Sequence, residues 1–177
     1  MPRFLPLLAV AALAAAPSFA AAGAEAAAKA TPAATSPAAR PTVAAAASPA
    51  ERPAITVHHS PGCGCCVKWV EHLREARYPV TVLDSLDLDA ERRRVGVPVG
   101  KASCHTAEVG GYFVEGHVPV ADIDRLLREK PKARGLTAPG MPMGSPGMEM
   151  PDGATPKYDV LLVLPDGTTR VWATHGR

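Results

Sequence analysis

Neither sign of charge dominates this 177-residue chain: 19 basic and 17 acidic side chains leave a formal net charge of +2. Without a basic field there is no footing for nucleic acid or an anionic membrane as a partner. The sequence also has little that could cross a bilayer. Its apolar run over residues 4–16 falls short of the ~20 residues that a spanning helix needs. Cysteine is scarce and unevenly placed. Cys63, Cys65 and Cys66 are crowded together and Cys104 stands alone, so at most one disulfide could join distant segments. That speaks against a purely structural disulfide framework, whose value lies in closing long loops. Residues 21–53 lack large apolar side chains almost entirely; Ala, Pro, Thr and Ser cannot bury enough surface to offset the entropy of ordering.

What is present at the start is the pattern of a secretion signal. Arg3 precedes the short apolar core, and in Ser18-Phe19-Ala20 the outer two positions supply small residues where a signal peptidase cuts. Residues 1–20 are therefore expected to be removed on export, taking the formal charge from +2 to +1. Residues 21–53, interrupted by Pro32, Pro37, Pro41 and Pro49, read as a disordered linker. Residues 54–177 then form one small domain.

Within that domain the alternating run over residues 55–59 predicts a strand and residues 65–76 a helix. Residues 80–83 predict a second strand, parallel to the first through a right-handed crossover. A charged second helix follows before Gly96 and Pro98, its triplet Arg92, Arg93 and Arg94 reading as a solvated face. Strands on either side of Gly110 and Gly111 predict a hairpin. A third helix carries Ile123, Leu126 and Leu127 as its buried stripe. The order β-α-β-α-β-β-α is that of a thioredoxin-like α/β domain. Residues 136–156 read as a long Pro/Gly loop, of a length that is often functional. A C-terminal β-hairpin turns at Pro165, Asp166 and Gly167.

The chemistry centres on Pro61-Gly62-Cys63-Gly64-Cys65-Cys66, where the first strand meets the first helix. Cys63 and Cys66, three apart, share one face of the helix start. The helix N-terminus favours thiolate there, giving either nucleophiles or soft-metal ligands. Cys65 and Cys66 diverge by about a hundred degrees around the helix. A single tetrahedral ion would take Cys63 and Cys66 and strain to include Cys65, so the crowding favours several ions sharing bridging thiolates. His105 and His117 lie in constrained turns near sulfur, whereas His72 reads as an exposed helix residue. Met141, Met143, Met148 and Met150 sit in the Pro/Gly loop with no core periodicity. Thioether and thiolate together select Cu(I).

Five runs of this sequence, in order, resemble the CopG-type family of bacterial copper-resistance proteins. They are Ser60-Pro61-Gly62-Cys63-Gly64-Cys65-Cys66, Ser103-Cys104-His105-Thr106, Val109-Gly110-Gly111-Tyr112, Glu115-Gly116-His117-Val118-Pro119, and the segment from Pro139-Gly140-Met141-Pro142 to Gly147-Met148-Glu149. The resemblance implies a periplasmic thioredoxin-like domain whose C-terminal extension helps bind metal. It further implies a cysteine-bridged copper cluster and redox exchange between Cu(I) and Cu(II). The motif cysteines correspond to Cys63, Cys65, Cys66 and Cys104, and His105, His117, Met148 and Met150 match motif positions as further copper ligands. A monomer is expected, with no membrane span after signal cleavage and with copper ions and periplasmic copper-efflux components as partners. In thioredoxin-like folds the segment at Ser103-Cys104-His105-Thr106 carries a cis-proline; this sequence has none there, which argues against an ordinary disulfide exchanger. Two readings stay open. One is a copper-binding protein, whether copper oxidoreductase, store or carrier. The other is a thiol-disulfide oxidoreductase with Cys63 as nucleophile and Cys66 as resolving thiol.

Overall fold

The computed structural model describes residues 52–177. The expected signal over 1–20, and all but the last two residues of the expected linker over 21–53, lie outside the described residues. Arg52 is tied to the domain: its guanidinium pairs with Asp124 and lies 4.5 Å from the centre of the Tyr78 ring, while the Tyr78 hydroxyl donates to Asp124.

The fold is mixed α/β, a seven-stranded sheet with three helices. The elements are β1 (Ile55–His59), α1 (Gly64–Glu75), β2 (Val80–Asp84), α2 (Leu88–Val95), β3 (His105–Val109), β4 (Tyr112–Glu115), α3 (Val120–Glu129), β5 (Gly135–Thr137), β6 (Tyr158–Val163) and β7 (Thr169–His175). The first seven follow the order read from the sequence. The sheet order is β2-β1-β3-β4-β5-β6-β7, with β1–β2 and β4–β5 parallel and the other pairs antiparallel. No helix among the described residues is long and apolar enough to cross a membrane.

Alternation does most of the local work. Along β1, Ile55, Val57 and His59 are buried while Thr56 and His58 are less so, as a strand with one covered face requires. Helix α1 buries Cys66, Trp69, Val70 and Leu73, the one-face spacing of an amphipathic helix. Trp69, Val70 and Leu73 join Ile123 and Leu126 of α3 and Val114, Leu136, Val160 and Leu162 of the sheet in one core. Each such large apolar side chain contributes roughly 1.5–3 kcal/mol on burial. The β3–β4 hairpin turns on Gly110 and Gly111, both at positive φ, the conformation that tight primed turns need and that glycine adopts without penalty.

Two expectations change. Leu136 is not loop but the middle of β5, which pairs with Val114 on one side and Leu162 on the other. A three-residue strand is too short to show a period, so its signal lies only in the neighbours it joins. The arginine triplet is not uniformly solvated. Arg93 is exposed, but Arg92 is mostly buried and ion-paired with the fully buried Glu115. A charged run conceals such a residue because its partner lies on a distant strand.

Candidate metal centre

The first helix begins with Cys63 as its N-cap, so Cys65 and Cys66 occupy the opening turn. Their divergence is as the helical period requires: Cys66 points into the fold and is fully buried, while Cys65 stays partly exposed. Cys63 and Cys66 form a disulfide, and Cys65 and Cys104 are free. Cys104 arrives from the other side of the site, at the bend that leads into β3. Its Sγ is 3.8 Å from Cys65 Sγ, which is itself 3.6 Å from Cys63 Sγ; Cys66 Sγ lies 3.5 Å from the Cys104 carbonyl oxygen. The four sulfurs all fall within 4.8 Å of one another.

A second donor group shares Cys104. His105 and His117 bring ring nitrogens within 4.8 Å of its sulfur and of each other. His117 Nε2 is 3.0 Å from Cys104 Sγ, and His105 Nδ1 is 3.4 Å from it. The other nitrogen of His117 donates to the Pro146 carbonyl at 2.8 Å. That bond fixes the tautomer and leaves the Nε2 lone pair facing the sulfur, the orientation a metal-binding imidazole needs. Burial pushes the His117 imidazole below its ordinary value. Burial and then His117 push His105 down to about 3, so both rings are neutral and able to coordinate. His105 lies against Trp69, ring centres 4.3 Å apart, and its Nε2 is buried without a partner. Burial, followed by Cys65, raises the Cys104 thiol to about 12. A bound cation would supply the positive charge that this thiolate lacks. Four soft sulfurs with two neutral imidazoles fit a thiophilic metal, Cu(I) or zinc, and do not fit a hard cation that seeks oxygen.

The loop between β5 and β6 comes back to this site. Gly140 N–H donates to the Ala102 carbonyl at 2.9 Å and Ser103 Oγ donates to the Gly140 carbonyl, which sets the loop beside Cys104. Further on, Pro146 holds His117, and Glu149 meets His72 Nε2 at 2.7 Å and accepts from the Gly147 N–H at 2.6 Å. His72, expected to be merely exposed, therefore fastens the loop to α1. Between them Gly147, at φ +85°, lies so close to α1 that an added Cβ would stand 2.7 Å from the Cys65 carbonyl and 2.9 Å from the Trp69 nitrogen. Gly147→Ala is accordingly expected to destabilise the metal-free protein by about 1–3 kcal/mol and to detach the loop from His117. Denaturant titration together with amide exchange at residues 144–149 checks this; unchanged protection there would show that the close approach is not needed. Met148 and Met150 are half-buried on this loop, and Met141 and Met143 are exposed.

His59 lies opposite His105 in the β1–β3 register and is buried, its Nε2 3.4 Å from Asp84. It is not among the clustered donors. Sequence reasoning missed Trp69 as the floor under His105 and Glu115 as a buried carboxylate. Trp69 could have been found from its place in the apolar stripe of α1. An open cleft of about 280 Å³ reaches Cys63 and Cys104 between Ser60, the stretch around Leu86 to Asp89, and Ser103.

Residues 101–148 match the family described as "Protein of unknown function, DUF411". No curated protein matches the chain. Two solved structures do: "Copper resistance protein copG- Form 1", with 44% identity over 72% of this chain and 100% of that one at a TM-score of 0.68, and "Copper resistance protein copG- Form 2", with 44% identity over 71% and 99% at 0.67.

Proposed function

Since the chain belongs to the CopG-type family, we propose that it is a periplasmic copper-binding protein of copper resistance. The observation that carries this reading is the convergence of Cys63, Cys65, Cys66 and Cys104 within 4.8 Å. That set is rich in the thiolates that select Cu(I). His105 and His117 add imidazole, and Met148 and Met150, on the loop that Gly147 holds against α1, add thioether. Several copper ions share the thiolates, because Cys65 stands between Cys63 and Cys104 and can bridge. The sheet order β2-β1-β3-β4 and its strand directions, with α1 starting at the cysteines, support a thioredoxin-like core. Strands β5–β7 then form a C-terminal extension that carries the loop. A core of this kind suits redox exchange between Cu(I) and Cu(II). Export through a cleaved leader over 1–20 places the protein where efflux components could take copper from it as a monomer.

The Cys63–Cys66 disulfide favours a test that couples thiol state to capacity. Oxidised protein should bind less Cu(I) than fully reduced protein, because two of the four sulfurs are then occupied by each other. Anaerobic Cu(I) titration with thiol counting, before and after oxidant, checks this; equal capacity in both states would overturn the assignment of Cys63 and Cys66 as ligands. The same disulfide supports a second reading, a thiol-disulfide oxidoreductase acting through Cys63 and Cys66. Cys104→Ser separates the two, since it leaves that pair intact while removing a copper ligand.

A further inference from the structure

Three cysteines of the centre are fixed by a helix, but Cys104 sits at a bend outside any regular element. Something else must hold it, and the peptide just before it is gripped from both ends. The Ser103 N–H donates to Glu115 Oε1 at 2.6 Å, and the Ser103 carbonyl accepts from Arg92 Nη2. The two gripping side chains also grip each other, Arg92 Nε to Glu115 Oε1 at 3.0 Å. The remaining oxygen, Glu115 Oε2, accepts from Thr106 Oγ1 at 2.5 Å, two residues beyond Cys104. Arg92 is oriented in turn by Asp89, 2.8 Å from its Nη1.

Glu115 is fully buried. A buried ion pair used only to join α2 to the sheet could be replaced by packed apolar side chains at little cost to stability. Apolar side chains could not hold a peptide N–H and carbonyl together. We propose that Arg92 and Glu115 form a positioning pair that sets the Cys104 sulfur against Cys65 and His117. Four of the pair's five side-chain hydrogen bonds end on residue 103, on residue 106 or within the pair itself. The metal to which Cys104 is presented rests on the copper-binding function proposed for the chain; the grip itself does not.

The test begins without metal. In the full-length protein carrying the Cys63–Cys66 disulfide, Cys65 and Cys104 are the free thiols, and their alkylation by iodoacetamide is followed separately by peptide mass spectrometry. Glu115→Gln removes the charge-assisted bond to Arg92. It should accelerate Cys104 about tenfold relative to Cys65, the fold-change that one such bond represents. Arg92→Gln should do the same, and Arg92→Lys, which keeps the charge and a donor, should recover part of the difference. If Glu115→Gln does not fold, Thr106→Val removes a single contact to the carboxylate and should give a smaller acceleration at Cys104 alone. Equal acceleration of both thiols, or none at Cys104, would overturn the proposal. Cu(I) competition against a chromophoric chelator then reads the consequence, weaker retention in the variants that free Cys104. If the unaltered protein retains no copper, the metal reading fails, while the thiol rates still decide the grip.

Discussion

Cys65→Ser, in fully reduced protein titrated anaerobically with Cu(I), lowers the number of ions bound rather than weakening a single site. The expectation comes from where the sulfur stands. Cys65 Sγ is 3.6 Å from Cys63 Sγ at the helix N-cap and 3.8 Å from Cys104 Sγ at the bend before β3. A thiolate has lone pairs enough to join two soft ions, whereas a serine hydroxyl is a hard, protonated donor that holds neither. Because Cys65 is partly exposed and outside the core, its loss should change the stability of the metal-free protein by no more than about 0.5 kcal/mol. Metal analysis beside the titration gives the count. A sharp endpoint at a single ion in both proteins would exclude the bridged arrangement and leave a mononuclear site.

Trp69→Ala has the largest effect expected on the fold, a loss of about 3–5 kcal/mol, which is a large part of the stability of a typical domain. Its side chain is fully buried, packs within the main core, and donates from Nε1 to the Val118 carbonyl at 2.9 Å. Removing it leaves a cavity and an unsatisfied carbonyl together, and the His105 ring loses the surface it lies on. Chemical denaturation of the metal-free protein measures the loss. A cost below about 1 kcal/mol, as for a surface substitution, would mean that the site rests on something other than this core. Trp172, by contrast, keeps a 7% exposed side chain under Arg125 at 3.9 Å, so its truncation should cost less.

How much of the molecule is legible in its sequence depends on the range of each signal. The strand at residues 55–59 and the stripe of α1 repeat within a few residues, so their period shows in the sequence and both stand in the fold. Gly110 and Gly111 mark their hairpin for the same local reason. Strand β5 does not, since Gly135, Leu136 and Thr137 are a strand only because β4 and β6 lie on either side. In the site, the three clustered cysteines announce themselves by spacing, and Cys104 and His117 by their motif runs. The pairing of Arg92 with Glu115, and of His72 with Glu149, is invisible in one dimension. Those partners are 23 and 77 residues apart, and each taken alone is an ordinary surface charge or imidazole.

The shortness of the disulfide ring has its own consequence. Cys63 and Cys66 are separated by only three positions, so linking them restricts the unfolded chain by about 2 kcal/mol, against roughly 4 kcal/mol for a ring closed between Cys63 and Cys104. Opening and closing it therefore makes a limited demand on the folding equilibrium. Reducing that bond to two thiols would take up two electrons and two protons, and closing it again would release them, with no long-range crosslink made or broken.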